Sequence, residues 1–445
     1  MSSALLSTEP TTGGLLADGG WSTRLRLLGL AFLLLMISNP WEFLIKGIVP
    51  GAASLTDPST SRAIYANAHL QMALKGGILL ALGGLAAWRW RAALRMPPRF
   101  PLLCAFYLYV ACSVRWSETP GNSITDVIYL TTALLAGVVL VVWCDELSVA
   151  RVIGYTGLLI AGFSLLTILA LPLYGVHGAE EASQGGHAGA WRGVYTHKNA
   201  LGQIMAVFFI IYAVKGRELL GARWIQYLAM ALTLLLVLKS RSASAFVLVG
   251  LCGAAYGVFF LMQGLARVVC LMLAPPLLVM GLALKDVALQ ALGRGSDFSG
   301  RTEIWSAAYR MFIQQPLFGY GYGSASVGGL TPYIIARFHA QNTHNGYIDL
   351  ALSAGLVGSL LLYGAVAWAI ARAATARGPH VSLLTQVCVI FLIGWGAAAL
   401  SEVSLRPNLP MGALGFAILV VMSTLTRRRG ESVEYRRPAD GDGAF

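Results

Sequence analysis

The chain has 445 residues, 57% of them hydrophobic and 12% charged, with a mean hydropathy of +0.68. A soluble domain carries roughly a quarter of its residues as charges, so this composition cannot cover a water-facing surface and excludes a soluble globular protein. The formal charge of +12, from 32 Lys and Arg against 20 Asp and Glu, calls for an anionic partner whose kind depends on where the charges lie.

Residues 1–23 are polar and small, as is the tail 430–445, and both are expected to be disordered in the cytoplasm. Between them, residues 24–429 read as one all-α polytopic membrane domain. Crossing about 30 Å of hydrocarbon takes roughly 20 apolar residues. Such runs begin near residues 25, 69, 100, 124, 151, 199, 225, 244, 267, 347, 381 and 410, giving about 12 transmembrane helices, of which the third, sixth (199–214) and seventh are short. The first follows Arg24 and Arg26 but ends in Ser38-Asn39-Pro40-Trp41-Glu42 without a small-x-small cleavage site, so it reads as a retained signal anchor.

An even number of spans puts both termini on one side. The positive-inside rule places them in the cytoplasm, together with Arg89, Arg91, Arg95, Arg99, Lys215, Arg217, Arg223 and Arg427 to Arg429. The outer face nevertheless keeps Arg115, Arg192, Lys198, Lys239, Arg241, Arg294, Arg301, Arg310, Arg337 and Arg406, with fewer acidic partners. His69, His177, His187, His197, His339 and His344 lie on or near that face, and His380 on the other. The six cysteines lie in or beside apolar runs and form no CxxC pair, so they read as small core residues.

The longest outer segment runs from about residue 285 to 343, between spans nine and ten. A structureless loop of that length is uncommon unless it is functional. Ile304, Trp305, Ala308, Met311 and Phe312 repeat with helical spacing, which predicts an amphipathic helix ended near Pro316. The following Leu317-Phe318-Gly319-Tyr320-Gly321-Tyr322-Gly323 has no preceding strand and no Lys-Ser/Thr after it, so it reads as a tight turn and not a nucleotide loop.

Chemistry concentrates where this loop re-enters the membrane. His344 stands at that border, and histidine suits proton transfer near neutral pH. The loops carrying Arg192 to Lys198 and Lys239-Ser240-Arg241-Ser242 bring guanidinium groups, whose planar forks suit a diphosphate. Lipid phosphate is the alternative partner for each arginine taken alone. The spacing of His339 and His344 does not put two ligands on one helical face and acidic ligands are sparse, so no metal and no cofactor are expected. No basic cluster sits in a soluble domain, which sets nucleic acid aside.

These residues resemble the O-antigen ligase and polymerase superfamily of bacterial inner membranes. The resemblance rests on His344-Asn345, nine residues, then Gly355-Leu356-Val357-Gly358; on Arg192-Gly193 to Lys198-Asn199; on Ser240-Arg241-Ser242; and on Arg301 to Trp305 leading into Pro316-Leu317-Phe318-Gly319-Tyr320-Gly321. It covers roughly residues 100 to 425. It implies a GT-C-like glycosyltransferase, inverting and independent of metal and nucleotide, with cytoplasmic termini and a periplasmic active site in a long, partly helical loop. The donor would be undecaprenyl-diphosphate-linked O-antigen, and the acceptor a sugar hydroxyl of lipid A-core oligosaccharide. On this resemblance His344 is the base, and Arg192, Arg241, Arg301 and Lys198 hold the diphosphate. His339, Arg115, Arg337, Glu402 and Arg406 form a second tier.

Two other readings stay open. An O-antigen polymerase would join two lipid-linked repeats, and the spacing from Arg310 to Gly321 fits an arginine, ten residues, glycine pattern associated with polymerases. A transporter would share the twelve-span plan, but here ionisable residues gather in outer loops and the long loop breaks any six-plus-six symmetry.

Overall fold

A computed structural model describes residues 21–46, 58–94, 101–178, 187–264, 299–324, 342–374 and 381–424, with short pieces at 266–267, 269–270, 426–427 and 433–434. His339, Arg337, nearly all of the predicted ninth span and nearly all of both polar termini lie outside these residues.

The described chain is helical apart from an antiparallel pairing of Thr426–Arg427 with Val433–Glu434 and one isolated bridge, Val176 to Trp191. The main helices are α1 (Trp21–Ile37), α2 (Pro58–Trp88), α3 (Pro101–Ser113), α4 (Pro120–Trp143), α5 (Glu146–Ala170), α6 (Lys198–Leu220), α7 (Arg223–Ser240), α8 (Ala243–Tyr256), α9 (Ser299–Phe312), α10 (Gly346–Ala374), α11 (Leu383–Ala398) and α12 (Pro410–Thr424). Among the described residues, five segments are long and apolar enough to cross a membrane: α4, α5, α6, the stretch Ala243–Leu261 that begins with α8, and α10. Shorter apolar helices include Ala73–Trp88, Pro101–Trp116, α11 and α12. The chain is an all-α membrane protein.

Local chemistry sets the helix ends. Pro120 opens α4, where its missing N–H costs nothing. The Asp145 carboxylate accepts from the Ser148 amide at 2.7 Å to cap α5. Gly221, at φ 85, closes α6. The sixth span therefore runs past the expected end at Val214 to Leu220, and Lys215 and Arg217 lie on the helix, not in a loop. The i,i+3 pair of Lys215 with Glu218 at 3.3 Å fits them to its last turns.

Helix α6 forms the centre, packed by α5, α7, α8 and α11. Phe208 stacks on Tyr212 and meets Phe391 edge-on, and Trp395 of α11 lies across Phe416 of α12. Small residues set the approach: a methyl at Gly394 would sit 2.5 Å from a Val207 methyl, and one at Gly137 would sit 2.5 Å from the Ala417 carbonyl.

The amphipathic helix is present as α9. Ile304, Ala307 and Ala308 are buried against Tyr320 and Leu352, while Tyr309 and Ile313 are exposed. The indole of Trp305 donates to the Thr343 carbonyl at 2.9 Å, which ties α9 to the turn that carries His344.

The two glycines of the Gly355-x-x-Gly358 motif play different parts. Gly358 faces the Tyr109 ring. Gly355 instead breaks α10, with φ 62 and ψ −167. The turn after α9 fills the break: Tyr320 donates to the Leu352 carbonyl at 2.9 Å, and Leu356 and Val357 donate to the carbonyls of Pro316 and Leu317 at 2.8 and 3.2 Å. Gly319 (φ 65) and Gly355 meet back to back, and a methyl on Gly319 would lie 2.6 Å from the Gly355 nitrogen. Non-helical backbone at membrane depth needs its polar groups satisfied by protein, and the Pro316–Tyr320 turn does this.

Candidate active site

The residues Thr343, His344 and Asn345 form a hydrogen-bonded turn at the start of α10. The Asn345 carboxamide oxygen accepts from the amides of Tyr347 and Ile348 at 3.0 and 3.1 Å, so Asn345 is the helix cap. His344 is left-handed at φ 50, and its amide donates to the Asn342 side chain at 2.8 Å. A positive φ at a non-glycine residue marks a constrained position.

Three contacts stitch this turn to the end of α11. Gly346 donates to the Ala399 carbonyl at 2.7 Å, Tyr347 donates through its hydroxyl to Gly396 at 2.8 Å, and the Asn345 amide reaches Leu400 at 3.4 Å. Gly346 leaves room for the backbone of Glu402, whose carbonyl would lie 3.1 Å from an added methyl. The Glu402 carboxylate stands 3.6 Å from His344 Nδ1, with the two side chains 17% and 28% exposed. Its other oxygen accepts from the Asn199 carboxamide at 2.6 Å. Burial by itself would raise the Glu402 carboxyl, but the nearby charge of His344, the charge of His197 and the bond from Asn199 together hold it below its ordinary range.

His197 caps α6, its Nδ1 accepting from the Asn199 amide at 3.2 Å, and His177 Nε2 accepts from the Lys198 amide at 3.1 Å. The rings of His177, His187 and His197 lie edge to face with centroids 5.2 to 5.5 Å apart. Burial pulls His197 down to about 4, against the charge of Glu402 and with the help of His177, His187 and His344. Among the described residues no group of three or more His, Cys, Asp or Glu is arranged to hold a metal ion.

The predicted cations separate into three groups. Arg301 of α9 is partly buried and feels the charge of Glu402, and Lys198 feels that of Arg241. Arg241 is exposed, left-handed at φ 50 at the end of α7, and donates to the Ala188 carbonyl at 3.2 Å. Arg192, by contrast, is 1% exposed, and its guanidinium donates to the carbonyls of Tyr174 and Leu173 at 2.9 and 3.0 Å. It braces the loop from beneath. Arg115 is exposed on the turn Val114–Trp116, and Arg406 is engaged by Asp126 at 2.7 Å and Asp349 at 3.8 Å.

Sequence reading placed Glu402 in the second tier and assigned no role to Asn199, His197 or His177. The loop from Arg192 to Asn199 was singled out, but only its cations were credited. Asn199 directly after a His-Lys pair at a helix start was the signal that could have drawn attention to its carboxamide.

Fold and site together define a helical membrane protein with a histidine–carboxylate pair beside several cations at a helix-end surface. Residues 228–363 match a family model described as O-antigen ligase. That segment contains Arg241, Arg301, His344 and Gly355, while Lys198, Asn199 and Glu402 lie outside it. No curated protein matches the chain.

Proposed function

We propose that the protein is an inverting glycosyltransferase that moves O-antigen polysaccharide from undecaprenyl diphosphate to a sugar hydroxyl of lipid A-core, at the periplasmic face of the bacterial inner membrane. The observation that carries this reading is the His344–Glu402 pair at 3.6 Å, next to cations suited to a diphosphate. The family match supports the class of reaction.

In this mechanism His344 takes the proton of the acceptor hydroxyl as its oxygen bonds to the anomeric carbon, and the bond from that carbon to the diphosphate oxygen breaks. The electron pair leaves with the polyprenyl diphosphate. A well-placed base contributes about 100- to 10,000-fold. Glu402, held by Asn199, orients the imidazole and balances the imidazolium as it forms. Arg241, Arg301 and Lys198 stabilise the leaving diphosphate, an electrostatic effect strengthened where water is partly excluded. Arg192 holds their loop in place. No nucleotide or cofactor enters, since the glycosyl–diphosphate bond carries the energy.

The test is a chelator-treated reaction of purified protein with lipid-linked O-antigen and lipid A-core, resolved on a gel. Wild type should yield long-chain lipopolysaccharide, and an equally folded H344A variant should not. Elongation of the lipid-linked glycan with lipid A-core untouched would replace ligation by polymerisation.

A further inference from the structure

By sequence Arg406 is an outer-face cation in the second tier of site residues, and the structure turns it inward. Its Nη2 lies 2.7 Å from an Asp126 oxygen of α4 and donates to the Gly323 carbonyl at 3.2 Å, and its Nε lies 3.8 Å from an Asp349 oxygen of α10. Asp126 and Asp349 are each 3% exposed. The adjoining cavity, bordered by Tyr322, Asp349, Ser353 and Arg406, is about 10 Å³, scarcely room for one water, so the joint is nearly dry.

The positions of these groups give the joint its meaning. Arg406 is four residues beyond Glu402 on the loop between α11 and α12, and Asp349 is five residues beyond His344 on the first turn of α10. The guanidinium thus fastens the loop that carries the carboxylate to the helix that carries the histidine, and fastens both to α4. We propose that Arg406 is a positioning residue that sets the separation of His344 and Glu402, an inference resting on the catalytic reading of that pair. A guanidinium suits the task because its planar fork bonds in two directions at once, which an ammonium cannot reproduce. In a dry site two carboxylates facing one cation hold a single arrangement strongly, because misplacing any member leaves a buried charge unpaired.

The test compares wild type, R406K, R406Q and the double variant D126N/R406Q in nanodiscs, following kcat and donor KM across pH and checking folding by melting temperature. R406Q should lower kcat about 100-fold, the loss expected when reacting groups are misplaced by about 1 Å. Donor KM should stay within about twofold, since Arg241, Arg301 and Lys198 are untouched. R406K should recover part of kcat. If R406Q does not fold, D126N/R406Q removes one charge of each sign and is read with R406K. Wild-type kcat in a folded variant, or a donor KM that rises along with the fall in kcat, overturns the proposal. Should wild type transfer no glycan, hydrogen exchange still decides: faster exchange in R406K at both 342–350 and 401–409 supports the joint, and a rise confined to 401–409 overturns it.

Discussion

Gly355→Ala is the sharpest perturbation of the fold. Gly355 sits at φ 62 and ψ −167, a region open essentially to glycine alone, and forcing another residue there costs about 1–3 kcal/mol. The new methyl would also press on backbone, 2.5 Å from the Leu317 carbonyl carbon and 2.7 Å from the Gly319 nitrogen. No rotamer change relieves that contact, so the Pro316–Tyr320 turn must retreat from its three hydrogen bonds with α10. Losing two of them at about 1 kcal/mol each brings the total to about 3–5 kcal/mol. Within a membrane no water replaces them, which makes this a lower bound. Against a typical stability of about 5–15 kcal/mol, the variant should melt well below wild type in detergent and lose most glycan transfer. Gly358→Ala provides the control. Its backbone is helical, and its methyl would lie 2.5 Å from the Ala354 Cβ and 2.8 Å from the Tyr109 ring, so overpacking of about 1–3 kcal/mol without backbone strain is expected. Equal stability of G355A and wild type, or greater damage from G358A, would refute the account of the break.

R192A and R241A should separate bracing from substrate contact. R192A removes a buried side chain with its hydrogen bonds to the Tyr174 and Leu173 carbonyls and should cost about 2 kcal/mol of stability, whereas R241A should leave the melting temperature unchanged and raise donor KM severalfold. Glu402 is held below its ordinary 4.5, so its interactions stabilise fully above that pH and fade as pH falls through the lower folded value. Wild type should therefore lose more melting temperature than E402Q on acidification below about pH 4.5. His197 is pulled from 6.5 to about 4, so its neutral burial stabilises above 6.5 and that share is lost as pH falls toward 4. H197N keeps a helix-capping side chain and should melt with a flatter dependence across that interval, and an unchanged slope would discount the His197 assignment.

The helices were legible because a bilayer leaves the backbone few choices, so apolar runs near residues 124, 151, 199 and 347 became α4, α5, α6 and α10. The end of α6 was misjudged for a physical reason: charged Lys215 and Arg217 suggested a loop, yet long basic side chains ride on a helix end and Gly221 was the true stop. The glycines 355 and 358 were legible as a motif but not as one break and one contact, because backbone conformation depends on the turn that arrives from α9. Arg192 and Arg406 show the deeper limit. Both are arginines in outer loops by sequence, and nothing local distinguishes them from Arg241. Only their neighbours do: helix-end carbonyls for Arg192, two carboxylates from distant helices for Arg406.

The same reasoning explains why the site spans more than the family match. Within residues 228–363 lie His344 and two of the cations, Arg241 and Arg301. The groups beside His344 come from either side of that segment: Asn199 at the start of α6 and Glu402 beyond α11, joined by a 2.6 Å hydrogen bond. One carboxylate feels His344, His197 and Arg301 at once, so it reports the placement of three helices in a single charge. Any displacement of α6, α9 or α10 alters the field at Glu402. On the proposed mechanism, chemistry at His344 is therefore conditional on the packing of the whole bundle, and a fragment limited to the matched segment would carry the histidine without the carboxylate beside it.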